Sequence, residues 1–167
     1  MLKICAPLAA LILAIGCSQP PQSGSVSDTS ASTHVAVASA QATPASVVDA
    51  FSAALHAGNT EAVALLMAPD VIIAESGEVE RSFAEYAGHH LAADIAFAAA
   101  VTSSLDDRKV ITGGDMATVV SRSEIRGSFR GRAIHSNSME TMVLRRTDDA
   151  WRIVHIHWSS APITEAR

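Results

Sequence analysis

The sequence predicts an α+β domain in which one curved antiparallel sheet wraps three N-terminal helices. Three observations carry this. Apolar residues recur at helical spacing up to about Ala100, long alternating segments begin at about Val101, and Gly-rich or Asp-rich breaks separate those later segments. Helices grouped ahead of strands argue for a sheet with its helices gathered on one side.

The elements follow in order. Val47, Val48, Phe51, Ala54 and Leu55 lie on one helical face after Thr43-Pro44, and Gly58-Asn59 is a stop, so the first helix covers about 45–57. Thr60 is predicted to cap a short second helix carrying Val63, Leu65, Leu66 and Met67, closed by Pro69. Asp70 to Glu75 reads as a strand, Gly77 as its turn, and Val79 to Arg81 as its partner. Ser82, with Glu85 three residues on, caps a third helix running to about Ala100, with a stripe through Phe83, Tyr86, Ala87, Leu91, Ile95 and Ala98. Strands are then predicted over about 101–111, 117–126, 132–146 and 151–159, with Gly127 to Gly131 as a loop.

The chemical signal is a clustering of histidines. His89-His90 lies in the third helix and His155-Ile156-His157 in the last strand. Strand alternation puts Trp151, Ile153, His155 and His157 on one face and Val154, Ile156 and Trp158 on the other. If the last hairpin pairs Arg146 with Trp151, then Leu144 faces Ile153, Met142 faces His155 and Glu140 faces His157. His90 and Asp94 fall in or beside the stripe of the third helix, although its rotation leaves open which of His89 and His90 turns inward. The candidate pocket is therefore His90, Asp94, Glu140, Met142, Ile153, His155 and His157. His155 and His157 are also the candidate catalytic bases, and His90, His155 and His157 a candidate metal set. Imidazoles with Asp94 or Glu140 suit zinc or copper(II), and Met142 would favour copper(I). The plainer alternative for the strand histidines is hydrogen bonding to backbone at the rim of the sheet. His56 and His135 read as solvent-facing.

The start of the chain has its own logic. Lys3 precedes an apolar run from Ala6 to Ile15, too short for a membrane span and right for a signal peptide. Leu13-Ala14-Ile15-Gly16-Cys17 resembles a bacterial lipobox, which makes Cys17 the expected lipidation site after loss of residues 1–16. Residues 17–43 are poor in large apolar side chains and read as a flexible tether, leaving 44–162 as one domain. Ser18 after the cysteine implies, by the same resemblance, the periplasmic face of the outer membrane. With Cys5 lost with the signal and Cys17 lipidated, no disulfide is expected. The net charge of −5, with Lys and Arg scattered, argues against a nucleic-acid partner.

The order of helix, Gly-Asn turn, short helix, hairpin, helix and long strands ending in Trp151-Arg152-Ile153-Val154-His155-Ile156-His157-Trp158 resembles the nuclear-transport-factor-2-like superfamily, in its SnoaL-like and DUF4440-like bacterial branch. The resemblance covers about 44–160. It implies a cone of curved sheet with a deep pocket between sheet and helices, and often a homodimer through the open sheet face. Isomerase members resembling ketosteroid isomerase need an aspartate base and a tyrosine or protonated acid as donor. Tyr86 is the only tyrosine here, and no positioned pair is recognisable from sequence, so no catalytic residue carries over. The expected function is a histidine-lined pocket for a small molecule or metal ion. The alternatives are a histidine-based isomerase or hydrolase, and an envelope scaffold.

Overall fold

The computed structural model describes residues 42–148 and 150–164. The expected signal peptide, Cys17 and all but the last two residues of the expected tether lie outside the described residues. The described chain runs α1 (Pro44–Ala57), α2 (Thr60–Leu66), β1 (Met67–Glu75), β2 (Glu78–Glu80), α3 (Phe83–His89), α4 (Leu91–Ala100), β3 (Val101–Gly113), β4 (Met116–Phe129), β5 (Arg132–Thr147) and β6 (Ala150–Pro162). Its strands form one six-stranded sheet in the order β2-β1-β6-β5-β4-β3.

Local chemistry sets the helix ends. Thr43 caps α1 by accepting from the Ser46 amide, and the Ser46 hydroxyl answers by accepting from the Thr43 amide at 2.9 Å. Gly58 ends α1 in the left-handed region at φ 67°, which a side chain would resist. Asn59, one residue ahead of the expected cap, starts α2 by accepting from the Ala62 amide at 3.0 Å. Pro69 does not close that helix. It sits inside β1, which begins at Met67, where pairing with β6 is interrupted.

Three expectations are corrected. The sheet is mixed, because β1 lies parallel to β6 while the long strands pair antiparallel. The third helix is two helices: Gly88 weakens its end, and at His90, with φ −107° and ψ −27°, α3 gives way to α4. Gly127 is not loop but strand, paired with Val101. A Cβ at Gly127 would come within 2.6 Å of the Ala100 carbonyl oxygen, so glycine here lets two backbones meet.

The core lies between α1 and the middle strands. Two cross-strand rows, Ala117–Leu144–Ile153 and Val119–Met142–Ile156, are buried and pack with Val47, Val48, Phe51 and Leu55. Each row buries the face of the sheet that the helices cover, by hydrophobic transfer of about 25 cal/mol per Å2.

One irregularity in β6 decides the site. Leu144 pairs with Ile153 as expected, but Val143 pairs with His155, leaving Val154 as a bulge. Beyond it every β6 side chain is on the opposite face from the simple alternation. Met142 therefore meets Ile156 rather than His155, and Glu140 meets Trp158 rather than His157.

Candidate functional site

Above the core the concave side of the sheet opens into two adjoining cavities, of about 520 Å3 and about 270 Å3. Glu75, Asp94 and Trp158 line both. The larger cavity lies between α1, α4 and the sheet, and the smaller reaches under the β1–β2 hairpin to Glu80, Tyr86 and His90.

Asp94 is placed by the break in the helix. Its amide donates to the His90 carbonyl at 3.0 Å in the first turn of α4, and its carboxylate accepts a hydrogen bond from the Tyr86 hydroxyl at 2.8 Å. Tyr86 is fully buried, so its ring is a rigid post for that bond. Burial, then the charge of Asp94, holds the Tyr86 phenol far above its usual range, so it remains a donor. Burial also raises the Asp94 carboxyl above the ordinary aspartate value, against the Tyr86 hydrogen bond, which favours the carboxylate. The result is a carboxylate more basic than usual and fixed in orientation.

Two other carboxyls share this environment. Glu75, at the accessible end of β1, is raised by burial of part of its side chain and next by the negative charge of Asp94. The negative charge of Asp94 thus adds to burial in holding the Glu75 carboxyl above the ordinary glutamate value. Glu140, on β5, is raised chiefly by burial, while the Trp158 indole N–H donating at 2.9 Å works against that rise. Trp158 is further fixed by stacking with Phe51, at 6.3 Å between centroids and 25° between planes.

The cation of the larger cavity is committed. Arg108 donates from Nη1 to Asp49 at 2.6 Å and from Nε to the Ser121 hydroxyl at 3.0 Å. In the smaller cavity the nearly buried Glu80 carboxylate pairs with His90 Nδ1, and this bond is the main cause holding the imidazole protonated above its usual range.

The sequence-derived site residues separate into three groups. His90, Asp94 and Glu140 line the cavities. Met142 and Ile153 are fully buried in the core below them. His155 and His157 are on the other face of the sheet, which corrects their expected place in the pocket. The Val154 bulge turns them outward, and His155 Nδ1 meets the Ile72 carbonyl oxygen at 2.9 Å, the backbone role that strand histidines can take. The three-histidine metal set is divided by the sheet for the same reason, and among the described residues no group of three or more His, Cys, Asp or Glu is arranged to hold a metal ion. His56 is exposed as expected, at the edge of the larger cavity, whereas His135 is half-buried against Glu124 at 2.7 Å. Sequence reasoning missed Tyr86, Glu75, Glu80, Arg108 and Trp158. No simple spacing signal existed for Tyr86 and Asp94, because eight residues on a continuous helix span about 12 Å along its axis, and it is the break at His90 that lets hydroxyl and carboxylate meet.

A family described as the SnoaL-like domain matches residues 45–164. Among solved structures, a candidate ketosteroid isomerase from Shewanella frigidimarina is 40% identical over 72% of this chain and 97% of its own, with a TM-score of 0.69. A candidate calcium/calmodulin dependent protein kinase II association domain from Xanthomonas campestris is 25% identical over 72% of this chain and 86% of its own, with a TM-score of 0.58. A candidate dehydratase of the NTF2-like family from Streptomyces avermitilis, 21% identical over 70% of this chain and 91% of its own, shares the fold at a TM-score of 0.54. No curated protein matches the chain.

Proposed function

The chain belongs to the SnoaL-like domain family, and from that membership we propose that its larger cavity binds a small organic carbonyl compound and moves a proton on it, with Asp94 as the base. The observation that carries this reading is the 2.8 Å hydrogen bond from Tyr86 to Asp94 at the wall common to both cavities. It joins a fixed rotamer to a raised proton affinity, the two properties a general base needs near neutral pH. The assignment of the Shewanella relative as a ketosteroid isomerase supports the same reaction class.

In this mechanism Asp94 takes a proton from the carbon beside the carbonyl. The C–H electron pair forms a new C=C bond, and the carbonyl π electrons go to oxygen, which takes a proton from Glu75 in the fraction of molecules where burial keeps that carboxyl protonated. Return of the Asp94 proton to a different carbon, and of the oxygen-bound proton to Glu75, restores the carbonyl and yields an isomer. Phe51, Trp158 and Phe97 give the cavity an aromatic part against which the hydrocarbon of such a compound can pack.

Asp94→Asn keeps an oxygen for the Tyr86 hydrogen bond but removes the base. Turnover of β,γ-unsaturated ketones, read as growth of conjugated-enone absorbance, is expected to fall about 10²–10⁴-fold in that variant. Equal rates in the two proteins, or no rate above background in the parent, would overturn the reading.

Export and lipidation at Cys17, with the domain held on the periplasmic face of the outer membrane, complete the proposal. The lipobox-like Leu13-Ala14-Ile15-Gly16-Cys17 supports it. Mass spectrometry of the N-terminal peptide from membrane fractions is expected to find acylated Cys17, and Cys17→Ala is expected to release the protein from the membrane. An unmodified cysteine in membrane-purified protein would refute the anchor.

A further inference from the structure

One row above the apolar core, the sheet wall changes character. Across β3 to β6 the row Arg108–Ser121–Glu140–Trp158 is followed by Leu105–Ser123–Ser138–Ser160, and then by Ser103, Ile125 and Ser136 toward the mouth. All of these side chains line the larger cavity. Ser121 is buried and committed to Arg108, but Ser123, Ser138 and Ser160 occupy directly opposed positions on three neighbouring strands. Directly opposed Cβ atoms stand about 4.5–5.5 Å apart, so these hydroxyls make a line of closely spaced donors and acceptors along the cavity wall.

The helix wall is mixed. Phe51, Leu55 and Ala98 project from α1 and α4 beside the polar Asp49, Ser52, His56 and Asp94, while on the sheet side the Trp158 indole is held at its edge by Glu140 and stacks with Phe51. A ligand filling this space meets aromatic and hydrocarbon groups together with a dense set of hydroxyls and carboxyls. A fused-ring hydrocarbon would leave the serine row desolvated and unpaired, which a site built of hydroxyls discriminates against strongly. A carbohydrate ring has both surfaces: C–H bonds on its faces and hydroxyls around its edge. Charge narrows the choice further. The lining holds the carboxyls of Asp49, Glu75, Asp94 and Glu140 against one guanidinium, Arg108, already bonded to Asp49. That balance disfavours phosphate or carboxylate ligands and tolerates neutral or amino-bearing ones.

We propose that the larger cavity takes an uncharged or amino-substituted saccharide of one or two rings, recognised by the Ser123–Ser138–Ser160 row and the Trp158 face. The proposal goes beyond the proton-transfer reading, since it concerns what the same cavity recognises, and its binding test does not depend on turnover.

Full-length protein titrated by calorimetry with N-acetylglucosamine, glucosamine and chitobiose is expected to bind at least one with 1:1 stoichiometry, and more tightly than a fused-ring ketone of similar bulk. The double variant Ser123→Ala, Ser138→Ala is expected to lose at least tenfold in saccharide affinity and to gain affinity for the fused-ring ketone, with an unchanged thermal midpoint. Three results would each overturn the proposal: no binding of any of the three saccharides, tighter binding of the fused-ring ketone by the parent, or unchanged saccharide affinity in the double variant. If saccharides bind as expected while Asp94→Asn has no effect on turnover, the proton-transfer reading fails and the saccharide site stands.

Discussion

At the scale of single residues, the pocket is governed by what burial does to carboxyls. Glu140 is the plainest case, because its raised proton affinity comes chiefly from burial while the Trp158 N–H and the Arg108 charge oppose it. A carboxyl whose folded pKa lies above its unfolded value binds more protons in the native state over the interval between the two. The unfolded chain then holds fewer protons, and stability falls as pH rises through that interval. For Glu140 the loss begins near its ordinary value of 4.5 and continues up to the raised folded value. Glu140→Gln retains an oxygen to accept from Trp158 but does not titrate. Thermal midpoints measured from pH 4 to 8 are expected to diverge, the variant gaining on the parent as pH rises, and parallel curves would contradict this account. The proton-rich state of His90 has the same sign. Its bond to Glu80 raises its proton affinity, so that contribution is present below the unfolded value of 6.5 and is lost as pH rises through the folded one.

Among the elements, Gly127 gives a direct test of packing. A methyl group there would meet the Ala100 carbonyl oxygen at 2.6 Å and the Val101 Cα at 2.8 Å, both backbone atoms that a rotamer change cannot move. Gly127→Ala is expected to cost about 1–3 kcal/mol in chemical denaturation, by forcing β4 away from the start of β3. A loss under about 0.5 kcal/mol would show that the two strands separate freely. The same position marks where sequence reading stopped working. Caps were legible, because Thr43, Ser82 and Gly58 act through neighbours three or four residues away. The last hairpin, with Arg146 paired to Trp151 and Leu144 to Ile153, was legible for the same local reason, whereas the break at His90 that divides the third helix was not. Gly127 read as a loop, because the close approach that requires it comes from a residue 26 positions earlier in the chain. The Val154 bulge left no local mark either, since Val154 is a good strand former and the run Ile153 to Trp158 satisfies simple alternation on paper. What selects the bulge is tertiary. Without it Ile156, now fully buried against Met142, would point outward, and two imidazoles would enter the core layer in place of it. Burying His155 and His157 without partners would cost more than one interrupted ladder position, and so the histidines that drew most attention in the sequence ended on the wrong side of the sheet for the pocket.

For the whole molecule, the consequence of an open mixed sheet is a second face without a covering layer among the described residues. All four described helices contact the concave side, through pairs such as α1 with β4 and β6. The convex side carries Ile72, Ile111, Met116 and Met139, each at least 40% exposed, between polar positions such as Thr118, Arg122 and Glu124. Exposed apolar groups set among paired charges make a surface better suited to contact with protein than to bulk water. A second copy of this chain is the economical occupant, because two-fold pairing presents the same apolar patch to itself. Sedimentation velocity at micromolar concentration is therefore expected to find a dimer. Ile111→Asp with Met139→Asp would place two like charges from each copy in the contact, and the double variant is expected to sediment as a monomer while keeping its saccharide and ketone binding. The cavities lie on the other side of the sheet, so loss of the dimer should leave them intact. A monomer at every concentration in the parent would show that the convex face is simply solvated, and a dimer that survives both substitutions would place the contact elsewhere.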